Sequence, residues 1–439
     1  MSVCWKLLMV LVMPAFLSVS CGKQTTEVGP QHSEPVRNHS GEFARQWMEL
    51  SYELVRAERR APPVASRIYA YAAIALYESV VEGMPHHRSL SGQIEGMPAM
   101  PDRPFGQTID WPTVSATTIA MTGAWLFFEG DSQLAIGELF ERQLEARRAA
   151  EISEVVIERS RLYGEELAEA IGAWAAQDGY DTLSNQLFSP PSTGAHAWVP
   201  TAEGMQPLQP FWSSLRPFAL TRADVCAPPA PVAFSSEADS AFFREAMDVY
   251  EVSHSMSEEE ATIARFWSDD PGTTGTPSGH WIAIGSGLVD QLELGLDEAV
   301  EMYALVGIAG ADAFISCWDE KFRSYLLRPV TYIQRHIDPE WRPLLNTPPF
   351  PEYTSGHSNV SGAAAMVLTH LFGEIAFVDN TRESIGMAPR AFNSFAEAAE
   401  EAAVSRLYGG IHYPMGIEHG VPQGACVGQA VLHRLRTRH

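Results

Sequence analysis

Three short blocks in the C-terminal third of the chain carry residue types that can hold and react with an oxyanion. They are Lys321-Phe-Arg-Ser-Tyr-Leu-Leu-Arg328-Pro329, Pro351-Glu-Tyr-Thr-Ser355-Gly356-His357-Ser358 and Ser405-Arg406-Leu-Tyr-Gly409-Gly410-Ile-His412. Lys321 and Arg328 are two helical turns apart, so both can project from one helix face, with Pro329 ending that helix. Arg offers a planar fork that suits phosphate-like oxygens, and Lys offers a point charge. In the second block, Ser355 or Thr354 caps an Ala-rich helix whose free N–H groups form an anion seat, and Gly356 allows close approach. His357 stands at its edge with an ordinary pKa of about 6.5, suited to acid–base work. In the third, Arg406 ends a helix and Gly409-Gly410 turn the chain so that His412 is presented from a constrained loop. A neutral imidazole there can attack phosphorus or coordinate a metal centre. Each block also has a plain reading: surface charges, an ordinary capped helix, a structural Arg/His pair.

The elements that must position these blocks read as helical throughout. From Phe43 to about Arg59 the apolar residues fall on one broad face. Val64–Val81 is apolar nearly all round and long enough for a buried helix. Residues 84–112 read as a Pro/Gly/His-rich loop, and helices follow over Trp111–Phe128 and Asp131–Gln177. Asp178–Pro231, with many prolines plus Trp198 and Trp212, reads as a long ordered loop over one end of the bundle, a substrate-side lid. Helices resume at Ser236–Tyr250 and at Ser257–Trp267, where Ser257 and Glu260 fit a capping box. Further helices are expected within 294–327, from Ser358 to Phe372, Ala388 to Tyr408, and Val421 to Arg436. No run of alternating strands and no internal repeat is visible. The architecture is therefore expected to be all-α, a helical bundle with long Pro/Trp-rich loops.

The 439 residues are 46% hydrophobic and 19% charged, the profile of a folded globular protein. A formal charge of −24 argues against nucleic-acid binding and against docking on anionic lipid. It also makes a tight cluster of cations a positive island that focuses anions. Residues 1–20 read as a signal peptide, with Lys6 before an apolar run too short to span a membrane. Cys21 after Leu17-Ser-Val-Ser resembles a bacterial lipoprotein signal, which implies lipidation at Cys21 and a cell-envelope location; simple secretion is the alternative. Residues 21–42 read as a tether and 43–439 as the helical domain, with its catalytic core at about 300–436. Cys226, Cys317 and Cys426 show no CxxC spacing and are expected to be buried small residues, not disulfides or zinc ligands.

Taken in order, Lys-x6-Arg-Pro, Thr-Ser-Gly-His and Ser-Arg-x5-His resemble the three-part signature shared by vanadium-dependent haloperoxidases and type 2 phosphatidic acid phosphatases. Pro62-Pro-Val-Ala-Ser-Arg67, Phe266-Trp267-Ser-Asp, Gly279-His280-Trp281 and Ala311-Asp-Ala to Trp318-Asp319 resemble the soluble bacterial haloperoxidase branch. The resemblance implies a clamp of Lys321, Arg328 and Arg406, with Ser355 and the Gly356 N–H on the equatorial oxygens. It makes His357 the acid–base residue, and His412 either the vanadium ligand or a phosphorylated nucleophile. One site serves both because vanadate and the phosphoryl transition state are both trigonal-bipyramidal and anionic. Pro277-Ser278-Gly279-His280 spells the middle motif more literally, but it precedes the Lys/Arg block and leads into Trp281. The site is therefore placed at 355–357, with His280 and Trp267 as candidates for lining the cavity.

One departure stands out. The family's third motif commonly continues His-x3-Asp, the acid orienting the catalytic His. Here Gly416 holds that position, and Glu418 lies two residues beyond. The first reading is a haloperoxidase that binds vanadate and oxidises halide with hydrogen peroxide. The second is an acid phosphatase hydrolysing a phosphate ester through phosphohistidine at His412, with no cofactor. A third is a surface lipoprotein binding a ligand such as a glycan without catalysis. Membrane contact is expected only through the N-terminal anchor, and homo-oligomer formation is left open.

Overall fold

The computed structural model describes residues 33–191 and 193–439; the expected signal peptide, Cys21 and most of the tether lie outside them. The described residues fold into fourteen α-helices. In chain order they are α1 (Glu42–Ala57), α2 (Pro62–Val80), α3 (Trp111–Leu126), α4 (Gly130–Ala149), α5 (Glu154–Ala175), the single turn α6 (Tyr180–Leu183) and α7 (Ala241–Ser255). Then come α8 (Glu258–Phe266), α9 (Thr276–Gln291), α10 (Leu296–Ser324), α11 (Pro329–His336), α12 (Gly356–Phe372), α13 (Phe395–Tyr408) and α14 (Pro414–Arg434). The all-α expectation holds. Among the described residues the exception is a small antiparallel hairpin, β1 (Phe377–Asp379) with β2 (Arg390–Phe392); β2 occupies the start of the helix expected over Ala388–Tyr408, which begins only at Phe395.

Burial follows composition. The Ala/Tyr/Ile-rich α2 is buried almost throughout and packs on α10. That 29-residue helix is long and apolar enough to cross a membrane, but its apolar stretch is wholly covered by protein. α12 and α14 cross so closely that a Cβ at Gly362 would stand 2.3 Å from the Val421 carbonyl oxygen. Glycine is required there because any side chain would push the helices apart. This crossing places the two imidazole-bearing helix starts side by side. Ser257 and Glu260 form the expected capping box at α8.

Several boundaries differ from expectation. The first helix packs by way of its approach: Gly41 N–H donates to Leu294 O and Leu296 N–H to His39 O, so the end of the expected tether belongs to the bundle. The long irregular segment is held from beneath by Asp312, which accepts N–H bonds from Phe218, Ala219 and Leu220. Cys226 and Cys426, expected to be unpaired, form a disulfide across 200 residues that fastens this segment to α14. Among the described residues Cys317 is the buried free thiol, as read.

Candidate active site

The first block converges on the site by a different route from the one expected. Lys321 lies in the last turn of α10, but that helix stops at Ser324 and Tyr325 turns left-handed, with φ 47°. Pro329 opens α11 instead of closing α10, and Arg328 is its N-cap residue. The two cations thus stand on different elements and are joined through one irregular strip, 350–354. Lys321 Nζ donates to the carbonyls of Pro351, Glu352 and Thr354, and Arg328 Nε donates to Phe350 O at 2.9 Å. Burial lowers the Lys321 pKa to about 8 and that of Arg328 to about 10.

His412 sits under this pair. Arg328 Nη1 approaches its Nε2 at 3.1 Å and also donates to Ile411 O, while Arg328 Nη2 has no partner among the described residues. The other ring nitrogen, Nδ1, lies 2.6 Å from Glu352 Oε1, which also accepts the Tyr413 N–H at 3.1 Å. An oxygen already accepting one N–H is placed to accept Nδ1–H as well. The proton therefore belongs on Nδ1 and the lone pair on Nε2. Burial, then Arg328, Lys321 and Arg406, hold the His412 pKa well below its ordinary value, so the imidazole is neutral.

Glu352 is the orienting acid that the third motif lacks. A Cβ at Gly416 would stand 2.4 Å from Glu352 Oε1, so the missing side chain at 416 leaves the space that Glu352 fills. Glu418 is exposed and takes no part. Burial raises the Glu352 pKa to about 7 against the pull of Lys321 and Arg328. Glu352 stood in the quoted second block, and Gly416 four residues after His412 was the signal that an acid must arrive from elsewhere.

His412, Gly356, His357 and Arg406 face a cavity of about 260 Å³. Its walls are largely apolar, including Leu208 from the long irregular segment, Phe314, Trp318 and Phe350. Ser355 does not line it: its Oγ caps α12 by accepting Ser358 N–H, leaving the N–H groups of Gly356 and His357 at the open helix start. Lys321 and Arg328 stand behind the floor. Arg406 donates from Nε to Ser405 Oγ and from Nη2 to Ala264 O, and burial lowers its pKa to about 10.

His357 presents 17% of its side chain to the cavity. Its Nε2 lies 3.2 Å from Asp269 Oδ2, within ion-pair reach but off line for a hydrogen bond. Burial, then Arg406, depress its pKa to about 4, so it is neutral near pH 7 and ready to take a proton. His280 and Trp267, expected to line the cavity, do not. His280 is buried, stacks on Trp267 at 4.3 Å, and bridges Asp379 (2.8 Å) and Asp269 (3.3 Å). Burial and Arg382 push its pKa down, and the two carboxylates outweigh them and raise it. Arg382 also pairs with Asp269. The literal Ser-Gly-His sequence thus fixes the acid behind His357 instead of forming the anion seat.

The donor set suits an oxyanion. The unpartnered Nη2 of Arg328 behind the floor, the Arg406 guanidinium, two helix-start N–H groups and a His412 nitrogen whose partner is Arg328 gather at a single small space. A Cβ at Gly356 would meet only the wall rings of Phe314 and Trp318, at 3.8 and 3.9 Å, so it would take space from the cavity. Among the described residues no cluster of three or more His, Cys, Asp or Glu forms a cage for a bare cation. Vanadate, a tetrahedral oxyanion whose metal accepts one nitrogen ligand, fits these groups.

Comparison with known proteins agrees. The VCPO second helical-bundle domain matches residues 301–439, which hold all three cationic blocks. A crystal structure of a bacterial vanadium-dependent iodoperoxidase superimposes with a TM-score of 0.86 at 38% identity, over 92% of this chain and 99% of that one. The chain belongs to the vanadium-dependent haloperoxidase family. Vanadium chloroperoxidase of Curvularia inaequalis is 34% identical over 86 residues, 16% of this chain and 14% of that protein. A bacterial vanadium-dependent chloroperoxidase in its holo form shares the fold at a TM-score of 0.64 and 15% identity, over 85% of this chain and 93% of that one. Within this haloperoxidase fold, the cations behind the cavity and the imidazoles facing it come from separate elements, α10 to α14, locked by the strip at 350–354.

Proposed function

We propose that this chain is a vanadate-dependent haloperoxidase that oxidises halide with hydrogen peroxide. The supporting observation is His412 on the cavity lining: neutral, with its proton held on Nδ1 by Glu352 and its Nε2 accepting from Arg328, the one bond vanadate would have to displace. In this reading His412 Nε2 is the vanadium ligand. Arg328, Arg406 and the Gly356 N–H hold the oxygens, with Lys321 as a fixed charge beneath. Bound vanadate supplies the Lewis acidity that activates peroxide. The protein's residues do the rest. Arg328 and Arg406 offset negative charge, Glu352 keeps His412 in one tautomer, and the apolar walls limit water. His357, neutral and backed by Asp269, accepts a proton from arriving hydrogen peroxide at its cavity-facing nitrogen and returns it to the departing oxygen.

The test loads purified protein with orthovanadate and follows peroxide-dependent oxidation of iodide and bromide, with phosphatase activity measured in parallel without vanadate. Iodide is the first halide to try, given the matched iodoperoxidase. Halide oxidation that needs vanadate and is abolished in His412→Ala is expected. Oxidation surviving in that variant would refute the ligand assignment. Because Glu352 also suits a nucleophilic His412, phosphatase activity without vanadate binding would establish the phosphohistidine reading instead.

We also propose a cell-envelope location with a lipid anchor at Cys21. The lipoprotein-like sequence supports it, and so does the Cys226–Cys426 disulfide, since such bonds persist in oxidising compartments. Cys21→Ala is expected to move the protein from the membrane to the soluble fraction; an unchanged distribution would exclude the anchor.

A further inference from the structure

Arg59 breaks a local rule at the edge of the cavity. α1 closes with Arg59 N–H donating to Arg56 O at 3.1 Å and Arg60 N–H donating to Val55 O at 3.0 Å, the paired bonds of a Schellman end. In that motif the residue at position 59 takes the left-handed conformation and is usually glycine. Arg59 takes it with φ 53°. Glu151 and Glu293 close α4 and α9 in the same way, so the conformation marks no site by itself; at Arg59 it fixes the direction in which the side chain leaves the helix end.

Its side chain lines the active-site cavity. It also crosses Gly272, whose own φ is 88°, and a Cβ there would meet Arg59 Nη1 at 2.6 Å. Glycine at 272 therefore clears the path of the guanidinium. The neighbouring Arg60 is engaged, with Glu58 and over the ring of Phe128. Arg59 is exposed, and its guanidinium makes no hydrogen bond or ion pair among the described residues. Around it the lining is apolar (Ala61, Pro62, Pro271) or acidic (Asp269, Asp270). Asp269 pairs with Arg382, and the exposed Asp270 is set against Arg406.

An approaching halide meets a protein of charge −24 and a carboxylate at the entrance. Lys321 and Arg328 lie deeper, behind the floor, and Arg406 on the lining is set against Asp270 and Asp269, so Arg59 is the lining arginine without a carboxylate partner among the described residues. We propose that Arg59 is the specificity-determining residue that admits halide: a free guanidinium on the exposed side of the cavity lining that draws the anion inward, while neutral hydrogen peroxide enters without it. This rests on the haloperoxidase reading for its substrate but makes a separate claim about anion entry.

Arg59→Gly tests it, because glycine is the residue the helix end prefers and the fold should be kept. One unit charge near the mouth is expected to change halide KM about five- to tenfold. The expected result is that rise in halide KM, with peroxide KM unchanged, Arg59→Lys near wild type, and the difference shrinking at high salt. Bromide NMR line broadening on the protein, without vanadate or peroxide, should fall in Arg59→Gly and persist in Arg59→Lys. An unchanged halide KM, or an equal rise in peroxide KM, would overturn the proposal, the latter showing a change of mouth shape. If the wild type oxidises no halide, the haloperoxidase reading falls and the line broadening alone decides: equal broadening in wild type and Arg59→Gly overturns the role of Arg59.

Discussion

Removing the Glu352 carboxylate should weaken vanadate binding although Glu352 does not itself line the cavity and acts through His412. Its Oε1 lies 2.6 Å from His412 Nδ1 and 3.1 Å from Tyr413 N. Glu352→Gln can keep an oxygen in that place and loses only the charge, so His412 becomes less basic. Glu352→Ala also frees Nδ1, and the ring proton can then move to Nε2, where it blocks the lone pair. Partners of this kind are worth roughly 10- to 100-fold in affinity, so Gln belongs near the lower figure and Ala near or beyond the upper. That is about 1.4 to 2.7 kcal/mol of binding free energy. Equilibrium dialysis of vanadate measures it directly, with thermal melts to show that each variant is folded. The geometry at 416 adds a second arm. Gly416→Asp alone forces a Cβ to 2.4 Å from Oε1 and should disrupt the site. Combined with Glu352→Ala, the same Asp enters the emptied space from α14 and should restore part of the affinity. Vanadate affinity within about threefold of wild type in Glu352→Ala would refute the orienting role.

Two further outcomes follow from buried groups. Reduction of the Cys226–Cys426 bond, or Cys226→Ser with Cys426→Ser, releases a closure spanning 200 residues and should cost about 2–5 kcal/mol, read as a lower melting temperature under non-reducing conditions; an unchanged melt would show that Asp312 alone holds the segment. His357, with a folded pKa of about 4 against an ordinary 6.5, gives a stability term that is full above pH 6.5 and is lost as pH falls toward 4, because the unfolded chain then takes a proton the folded one refuses. Glu352 acts in the opposite sense but is shared by wild type and variant, so His357→Gln should lose up to about 2 kcal/mol less than wild type between pH 7 and pH 5 in denaturant titrations; parallel losses would mean that folded His357 takes up its proton as readily as the unfolded chain does.

The helices and the three cationic blocks were legible because both are local: periodicity and spacing lie within a dozen residues. What escaped was whatever depends on chain segments meeting. The 329 proline reads as a helix end, yet the break is made earlier by Tyr325 in a left-handed turn, a conformation no sequence rule assigns to tyrosine. Lys321 and Arg328 still meet, because the strip at 350–354 offers carbonyls to both. The three-residue strands are too short to show alternation. Cys226 and Cys426 carry no spacing signal at all. His280 was expected at the cavity because its motif is literal, but its two carboxylate partners lie in other segments and draw it behind the wall.

The exchange between positions 352 and 416 shows why a motif can look broken while its chemistry is intact. A neutral imidazole ligand needs an acceptor on Nδ1; it does not matter which element supplies it. Supplying the acid from the strip at 350–354 has a further consequence, since Lys321 and Arg328 bind the carbonyls of that same strip. Tautomer control and positive charge are then set by one segment, so a shift of the strip would disturb both together. The charge balance also follows. Lys321, Arg328 and Arg406 face Glu352 and Asp270, while Arg382 and Asp269 cancel each other. Counting Glu352 and Asp270 as ionised leaves about one positive charge at the floor, and burial has already depressed the pKa of each of its cations. An arriving oxyanion removes that strain, which is how a strongly acidic protein keeps one place where an anion is the missing partner.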